Sequence, residues 1–354
     1  MTAMAARAVK VLVVDDSLFM REYIASALSS DPGIEIVGKA ADPYEARDKI
    51  IELKPDVMTL DINMPKMNGI EFLKKLMPQY PMPVVVISAV GSNVFEALDV
   101  GAVDFITKPE LKTERDKQQF ISEMTVKIKI ASIAKVGQHK HSPARNTALE
   151  KQGPGAKNGI IAIGASTGGT EATLNILREL GSDLPGIVIV QHMPPVFTRL
   201  YAERLNNICA MEVKEAEDKD IVKPGRVLIA QGGLHMGVVK QGGGFAVECK
   251  AGDKISGHCP SVDYLFDSVA KLKGINRLGI IMTGMGSDGA KGLLAMRQSG
   301  ASTIGQDQKS CVVYGMPAVA NRIGAVQKEL PLDAIAHEIY EWSKACCTGR
   351  NISR

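Results

Sequence analysis

Five short apolar runs dominate the first third of the chain, and each stops at a polar or charged residue. They read "VKVLVVDD" (9–16), "IEIVGKA" (34–40), "PDVMTLDINMP" (55–65), "PVVVISA" (83–89) and "DFITKP" (104–109). Runs this short are poor helices and match strands buried on both faces. Segments with helical spacing, "SLFMREYIASAL" and "PYEARDKIIELK", lie between the first three. Strands that alternate with helices need crossover connections, and crossovers give a parallel sheet covered on both sides. A further helix is expected over about 118–135.

The same logic returns after a break. The stretch "GQHKHSPARNTALEKQGPGAKNG" (137–159) is polar, mildly basic and without apolar period, so it reads as an exposed linker. Beyond it come "GIIAIGAS" (159–166), "LPGIVIVQHM" (184–193), "GRVLIAQGG" (225–233) and "RLGIIMTGMGSD" (277–288), several followed by helical patterns. The segment "MGVVKQGGGFAVECKAG" (236–252) reads as a hairpin with a glycine turn, so the second sheet is expected to be mixed. The expected division is a first domain over 1–130, a linker over 131–157 and a second domain over 158–354. A length of 354 residues fits two domains.

Composition narrows the function classes. A net charge of +3 gives no electrostatic reason to expect nucleic acid or an anionic membrane as partner. No apolar stretch reaches the ~18 residues of a membrane span, so no membrane insertion is expected, and the N-terminal "MTAMAARAVK" has no signal-type apolar region. The six cysteines show no metal-ligand spacing, which fits reduced thiols and a cytoplasmic location.

Asp15, Asp16, Asp61, Ser88 and Lys108 all fall at strand ends of the first domain. In a parallel sheet those ends share one edge, and ligands bind there. Three crowded carboxylates repel one another, and a hard divalent cation such as Mg²⁺ relieves the repulsion. A lysine opposite adds positive charge, so the set suits a phosphoryl group attacked by a carboxylate. With "DINMPKMNG", the Ser88–Ala89 pair and "FITKP", these residues make positions 8–130 resemble a response-regulator receiver domain. The resemblance implies a flavodoxin-like, five-stranded parallel sheet with Asp61 as phospho-acceptor. It implies Asp15, Asp16, Asp61 and the Asn63 carbonyl as Mg²⁺ ligands, Ser88 and Lys108 as phosphoryl-binding residues and Phe105 as the aromatic switch.

In the second domain the stretch "IIAIGASTGG" (160–169) leaves Ser166 open to three readings. It, or Thr167, caps a helix starting near Thr170; the loop cradles a phosphate; or Ser166 is a nucleophile in a literal G-x-S-x-G turn. The phosphate reading lacks a Walker lysine and a dinucleotide fingerprint. A nucleophilic serine needs a base and a group to orient that base. His192 closes the strand "GIVIVQH", and Asp288 follows the strand "LGIIM", so all three side chains belong to strand ends. His139 and His141 lie in the linker, His337 in a C-terminal helix, and His235 and His258 in loops, which makes them weaker candidates.

The motifs "GASTGG", "QHMPPVFT", "PSVDYLFDSVA", "TGMGSDGA" and "VVYGMP" resemble the CheB family of chemotaxis protein-glutamate methylesterases, and with the receiver the resemblance spans the whole chain. It implies a doubly wound, mostly parallel α/β esterase domain with Ser166 as nucleophile, His192 as general base, Asp288 as orienting acid and the Met285 backbone N–H in the oxyanion hole. It also implies glutamyl γ-methyl esters on methyl-accepting chemoreceptors as substrate, glutamine deamidation as a parallel reaction, a chemotaxis histidine kinase as phosphodonor, and no cofactor for the esterase domain. The chain departs from the family's common H-R-P-S-V-D at His258-Cys259-Pro260-Ser261-Val262-Asp263, where a basic residue is missing, and from P-G-x-x-H-M at "AQGGLHM". The alternatives are a non-catalytic receptor-binding output domain, a transcription regulator, for which no basic recognition helix is present, and a Rossmann oxidoreductase.

Overall fold

Strand β1 (Val9–Val14) is followed by α1 (Leu18–Leu28), β2 (Ile34–Ala40), α2 (Pro43–Leu53), β3 (Val57–Asp61), α3 (Gly69–Leu76), β4 (Val84–Ser88), α4 (Val94–Asp99), β5 (Asp104–Thr107) and α5 (Glu114–Ser132). The five strands pair only in parallel, in the order β2-β1-β3-β4-β5, the expected doubly wound sheet. Every residue of β3 and β4 is buried, as a strand covered on both faces requires. The last helix starts four residues earlier than expected. Thr113 accepts a hydrogen bond from the Asp116 N–H, and Asp116 returns one from the Thr113 N–H, a reciprocal cap that fixes the start.

The structure is a computed structural model and describes residues 7–89, 93–109, 113–137 and 159–347. The chain divides into two units, Met1–Ser142 and Pro143–Arg354. Most of the linker expected over 131–157, with His139 and His141, lies outside the described residues.

The second unit runs β6 (Gly159–Ala165), α6 (Gly169–Leu177), β7 (Gly186–Gln191), α7 (Phe197–Ile208), β8 (Glu212–Glu215), β9 (Arg226–Ile229), β10 (His235–Gln241), β11 (Gly244–Lys250) and α8 (Val262–Ala270). It continues with β12 (Asn276–Ile281), α9 (Ala290–Gln298), β13 (Ser302–Gln306), α10 (Met316–Arg322), β14 (Lys328–Leu330) and α11 (Leu332–Cys347). Seven strands form one sheet in the order β14-β13-β12-β6-β7-β9-β8. All its pairings are parallel, so the sheet is not mixed. The hairpin β10–β11 exists as expected but forms its own two-stranded sheet, with a bridge from Ala246 to Ile221 in the β8–β9 connection. It stands on α8, where Val238 N–H donates to Ser268 Oγ at 2.8 Å.

The core lies between the sheet and α8 and α9, built from residues such as Ile160, Ala162, Val188, Val262, Phe266, Ile281, Leu293 and Met296. Close approach of α8 to β6 requires a glycine at 164, because a Cβ there would collide with Val262. Among the described residues no helix is long and apolar enough to cross a membrane.

Candidate active site and acidic pocket

Ser166, His192 and Asp288 follow three neighbouring strands, β6 in the centre with β7 and β12 on its flanks. The register between β6 and β7 pairs Ala165 with Gln191, and the next step carries a hydrogen bond from the His192 N–H to the Ala165 carbonyl at 3.1 Å. Ser166 and His192 therefore leave the sheet side by side. Asp288 comes from the loop beyond β12 and reaches His192, with Nε2 of the ring 2.8 Å from Asp288 Oδ2.

The helix-cap reading of Ser166 does not hold. The residue preceding α6 is Gly168, at φ +76°, and no side chain caps this helix. That left-handed conformation suits glycine, and it frees Ser166 from the role. Among the described residues the Ser166 hydroxyl has no hydrogen-bond partner, while its backbone is clamped. Its N–H donates to the Thr283 carbonyl at 3.0 Å, and its carbonyl accepts from Gln191 Nε2 at 2.8 Å and from the Gly169 N–H at 2.7 Å. Gly284 lets the loop after β12 press on the serine, since a Cβ there would stand 2.7 Å from Ser166 Cβ.

Asp288 is 2% exposed and accepts four hydrogen bonds. Besides His192, they come from Ser261 Oγ at 2.8 Å, the Val262 N–H at 2.8 Å and the Asp263 N–H at 3.0 Å. The last two are the orphan donors at the start of α8, where the helix dipole also favours negative charge. Burial pushes the Asp288 carboxyl up, but His192 and these N–H groups outweigh it and hold the pKa below the usual carboxylate range. An ionised carboxylate only accepts, so His192 Nε2 carries the proton and Nδ1 keeps its lone pair. His192 Nδ1 is buried and unpartnered among the described residues.

Two residues that sequence reasoning passed over or ranked low belong to this site. Ser261 links the α8 start to Asp288, and its hydroxyl also accepts from the Tyr264 N–H at 3.3 Å; the pattern Ser-x-x-Tyr before an apolar-periodic helix was the available signal. His258 stacks face to face on His192, with ring centroids 3.7 Å apart and planes 7° apart. Burial, then the charge of His192, push the His258 imidazole down to about 4, with Lys254 adding to the effect and Asp288 opposing it. His258 is therefore neutral near pH 7. His235 is not in a loop but opens β10, where its Nε2 pairs with the Asp253 carbonyl at 2.8 Å. Met285 is exposed on the loop leading to Asp288, and among the described residues no protein group accepts its backbone N–H.

In the first unit three carboxylates come together at the ends of β1 and β3. One oxygen each from Asp15, Asp16 and Asp61 lies within 4.8 Å of the others. Lys108 Nζ sits 2.6 Å from Asp61 Oδ2 and 3.0 Å from Asp15 Oδ2. Burial raises the pKa of Asp61, aided by the Asp15 charge, and the Lys108 ammonium and Asn63 N–H only partly offset this. Ser88 ends β4 fully buried, and Phe105 is buried in β5 with Phe95 edge-on at 6.4 Å. An all-oxygen acidic donor set fits a hard divalent cation.

Fold and sites together define a chain with two modules, a phosphoryl-type acidic pocket on a doubly wound sheet and a serine–histidine–aspartate set on a parallel α/β domain. Residues 11–118 match the response regulator receiver domain, and residues 161–339 match CheB methylesterase. The chain belongs to the CheB methylesterase family. A Syntrophomonas wolfei protein-glutamate methylesterase/protein-glutamine glutaminase is 55% identical over 343 residues, which are 96% of this chain and 98% of that relative. A Salmonella typhi protein of the same name is 45% identical, over 94% of this chain and 96% of its own length. The crystal structure of the Thermotoga maritima CheB methylesterase catalytic domain is 39% identical, with a TM-score of 0.51, and covers 52% of this chain and 98% of its own.

Proposed function

We propose that this chain hydrolyses glutamyl γ-methyl esters on chemoreceptors, releases methanol, deamidates glutamine by the same route, and is activated by phosphorylation of Asp61. The observation that carries the esterase reading is the arrangement at the strand ends: Ser166 and His192 leave adjacent strands, and His192 Nε2 is tied to Asp288 at 2.8 Å while Nδ1 stays unpartnered. Nδ1 takes the Ser166 proton as Oγ attacks the ester carbonyl. The imidazolium that forms is stabilised by Asp288, which already holds the ring's orientation and tautomer. The oxyanion is received by backbone N–H groups, of which Met285 offers an unspent one. One such donor is worth ~3 kcal/mol. The proton then passes from Nδ1 to the departing methoxide. Water repeats the sequence on the acyl-enzyme, and with glutamine the leaving group is ammonia.

In the receiver, Asp15, Asp16, Asp61 and the Asn63 carbonyl would hold Mg²⁺, which when bound neutralises phosphoryl oxygens. Lys108 pairs with the phosphoryl group, the Ser88 hydroxyl bonds it, and Phe105 follows as the switch. Phosphorylation adds charge and acceptor oxygens at Asp61, a local change that biases a two-state element. A histidine kinase is the phosphodonor in this reading, and the cytoplasm is the compartment.

Methanol release from purified methylated receptor membranes tests the proposal. The intact chain releases methanol, and more of it when Mg²⁺ and a small-molecule phosphodonor are added. Ser166→Ala, still folded, does not. Hydrolysis by Ser166→Ala near the wild-type rate would remove the nucleophile assignment and with it the reading.

A further inference from the structure

We propose that His258 is a positioning residue for the base: its ring, stacked on that of His192, keeps Nε2 on Asp288 and Nδ1 on the serine side. The inference rests on the triad reading above. A single hydrogen bond at Nε2 leaves an imidazole free to swing about its side-chain bonds. A parallel ring with its centroid 3.7 Å away removes that freedom, because any tilt of one ring runs into the other.

The support for His258 is itself fixed. It ends a tight turn closed by two hydrogen bonds, Ile255 N–H to the His258 carbonyl at 3.0 Å and His258 N–H to the Ile255 carbonyl at 2.9 Å. Inside the turn Ser256 and Gly257 adopt φ of +52° and +86°. Ser256 Oγ donates to Asp263 Oδ2 at 3.0 Å, and Asp263 Oδ1 accepts the Gly292 N–H at 2.8 Å, which ties the turn to α8 and α9. Just beyond, the Cys259 carbonyl accepts the Gly233 N–H at 3.2 Å and the Ser261 N–H donates to His235 Nδ1 at 3.3 Å. A ring on a brace of this kind is a wall, not a mobile side chain.

The wall also keeps water from one face of the base. The His192 ring meets Asp288 from the β12 loop and His258 from the turn, which Lys254 and Cys259 flank, while Ser166 leaves the neighbouring strand β6; Asp263 lies at the start of α8. Removing the ring opens that face of His192 to water and takes away the surface that fixes its plane.

The experiment is methanol release from methylated receptor membranes by His258→Ala, His258→Phe and Ser166→Ala, with kcat, KM and melting temperature for each. His258→Ala loses kcat about tenfold, the scale expected when a reacting group is displaced by a fraction of an ångström, with KM within about twofold. His258→Phe, which keeps a flat ring and cannot ionise, recovers most of kcat. If His258→Ala does not fold, His258→Gln, of similar reach but without a ring, takes its place. Wild-type kcat in the ringless variant, or no rescue by Phe, overturns the inference while the triad reading stands. Activity surviving in Ser166→Ala sinks the triad reading instead.

Discussion

At the scale of single residues, Asp288 and Val196 show opposite relations to the backbone. Asp288 relieves it, spending three of its four hydrogen bonds on the start of α8. Val196, four residues after His192, is strained: it is β-branched and exposed, yet held at φ +74°, ψ −44° as the residue before α7. Such a conformation costs a side chain of this shape on the order of 1–3 kcal/mol. Glycine adopts it freely but loses ~0.5–1 kcal/mol through the greater freedom of the unfolded chain. Val196→Gly is therefore expected to stabilise the protein by about 1 kcal/mol, read as a higher urea midpoint at constant slope. An unchanged or lower midpoint would mean that the valine side chain gives back in packing what its backbone loses.

At the scale of elements, α8 connects chemistry with packing. Its first turn holds Asp288 and its buried face carries Val262, Leu265, Phe266 and Val269 into the core. Ser261 serves both ends of this arrangement. Ser261→Ala should cost about 1–2 kcal/mol, as a lost cap and a lost bond to a buried charge. It should also lower kcat several-fold while KM changes little, measured by thermal melting and methanol release on one preparation. A melting loss with unchanged kcat would show that Asp288 is held well enough by the backbone alone. The strands that place the candidate site residues were legible in the sequence because each is a dense apolar run stopped by one of them: Asp61, Ser88, Ser166, His192. Short polar strands were not: "EVKE" in β8 and "KEL" in β14 owe their form to a neighbour in the sheet rather than to their own pattern. His258 escaped for a related reason. Its contact with His192 depends on how residues 230–261 fold back on the domain, and no local periodicity records that.

At the scale of the whole molecule, the two units respond to conditions through different groups. In the receiver, Asp61 has a raised pKa, so the native state binds more protons than the unfolded state in the range between the two pKa values. Stability contributed by this site accordingly falls as pH rises through that range. Mg²⁺ held by these carboxylates, as proposed, competes with those protons. Its stabilising effect should be small at pH 4, grow with pH, and level off once Asp61 is ionised, reaching ~2.7 kcal/mol when Mg²⁺ is a hundredfold above its dissociation constant. Asp61→Asn should remove this site's share of the pH slope and raise the stability of the metal-free receiver at pH 7. Differential scanning calorimetry with and without Mg²⁺ at pH 4, 6 and 8 measures both effects; a Mg²⁺ effect independent of pH would place the ion elsewhere.

The route from β9 to α8 has a consequence of its own. It leaves the seven-stranded sheet, makes a private hairpin, and returns carrying the ring against His192 and the hydroxyl on Asp288, without interrupting any strand. The exposed tip of the hairpin, Gly242 and Gly243, packs on none of the three strand ends, whereas Met236, Val238 and Val247 join the core beneath them. On the reading proposed above, this stretch bears on the speed of ester cleavage through His258 and Ser261 while supplying none of the atoms whose bonds change.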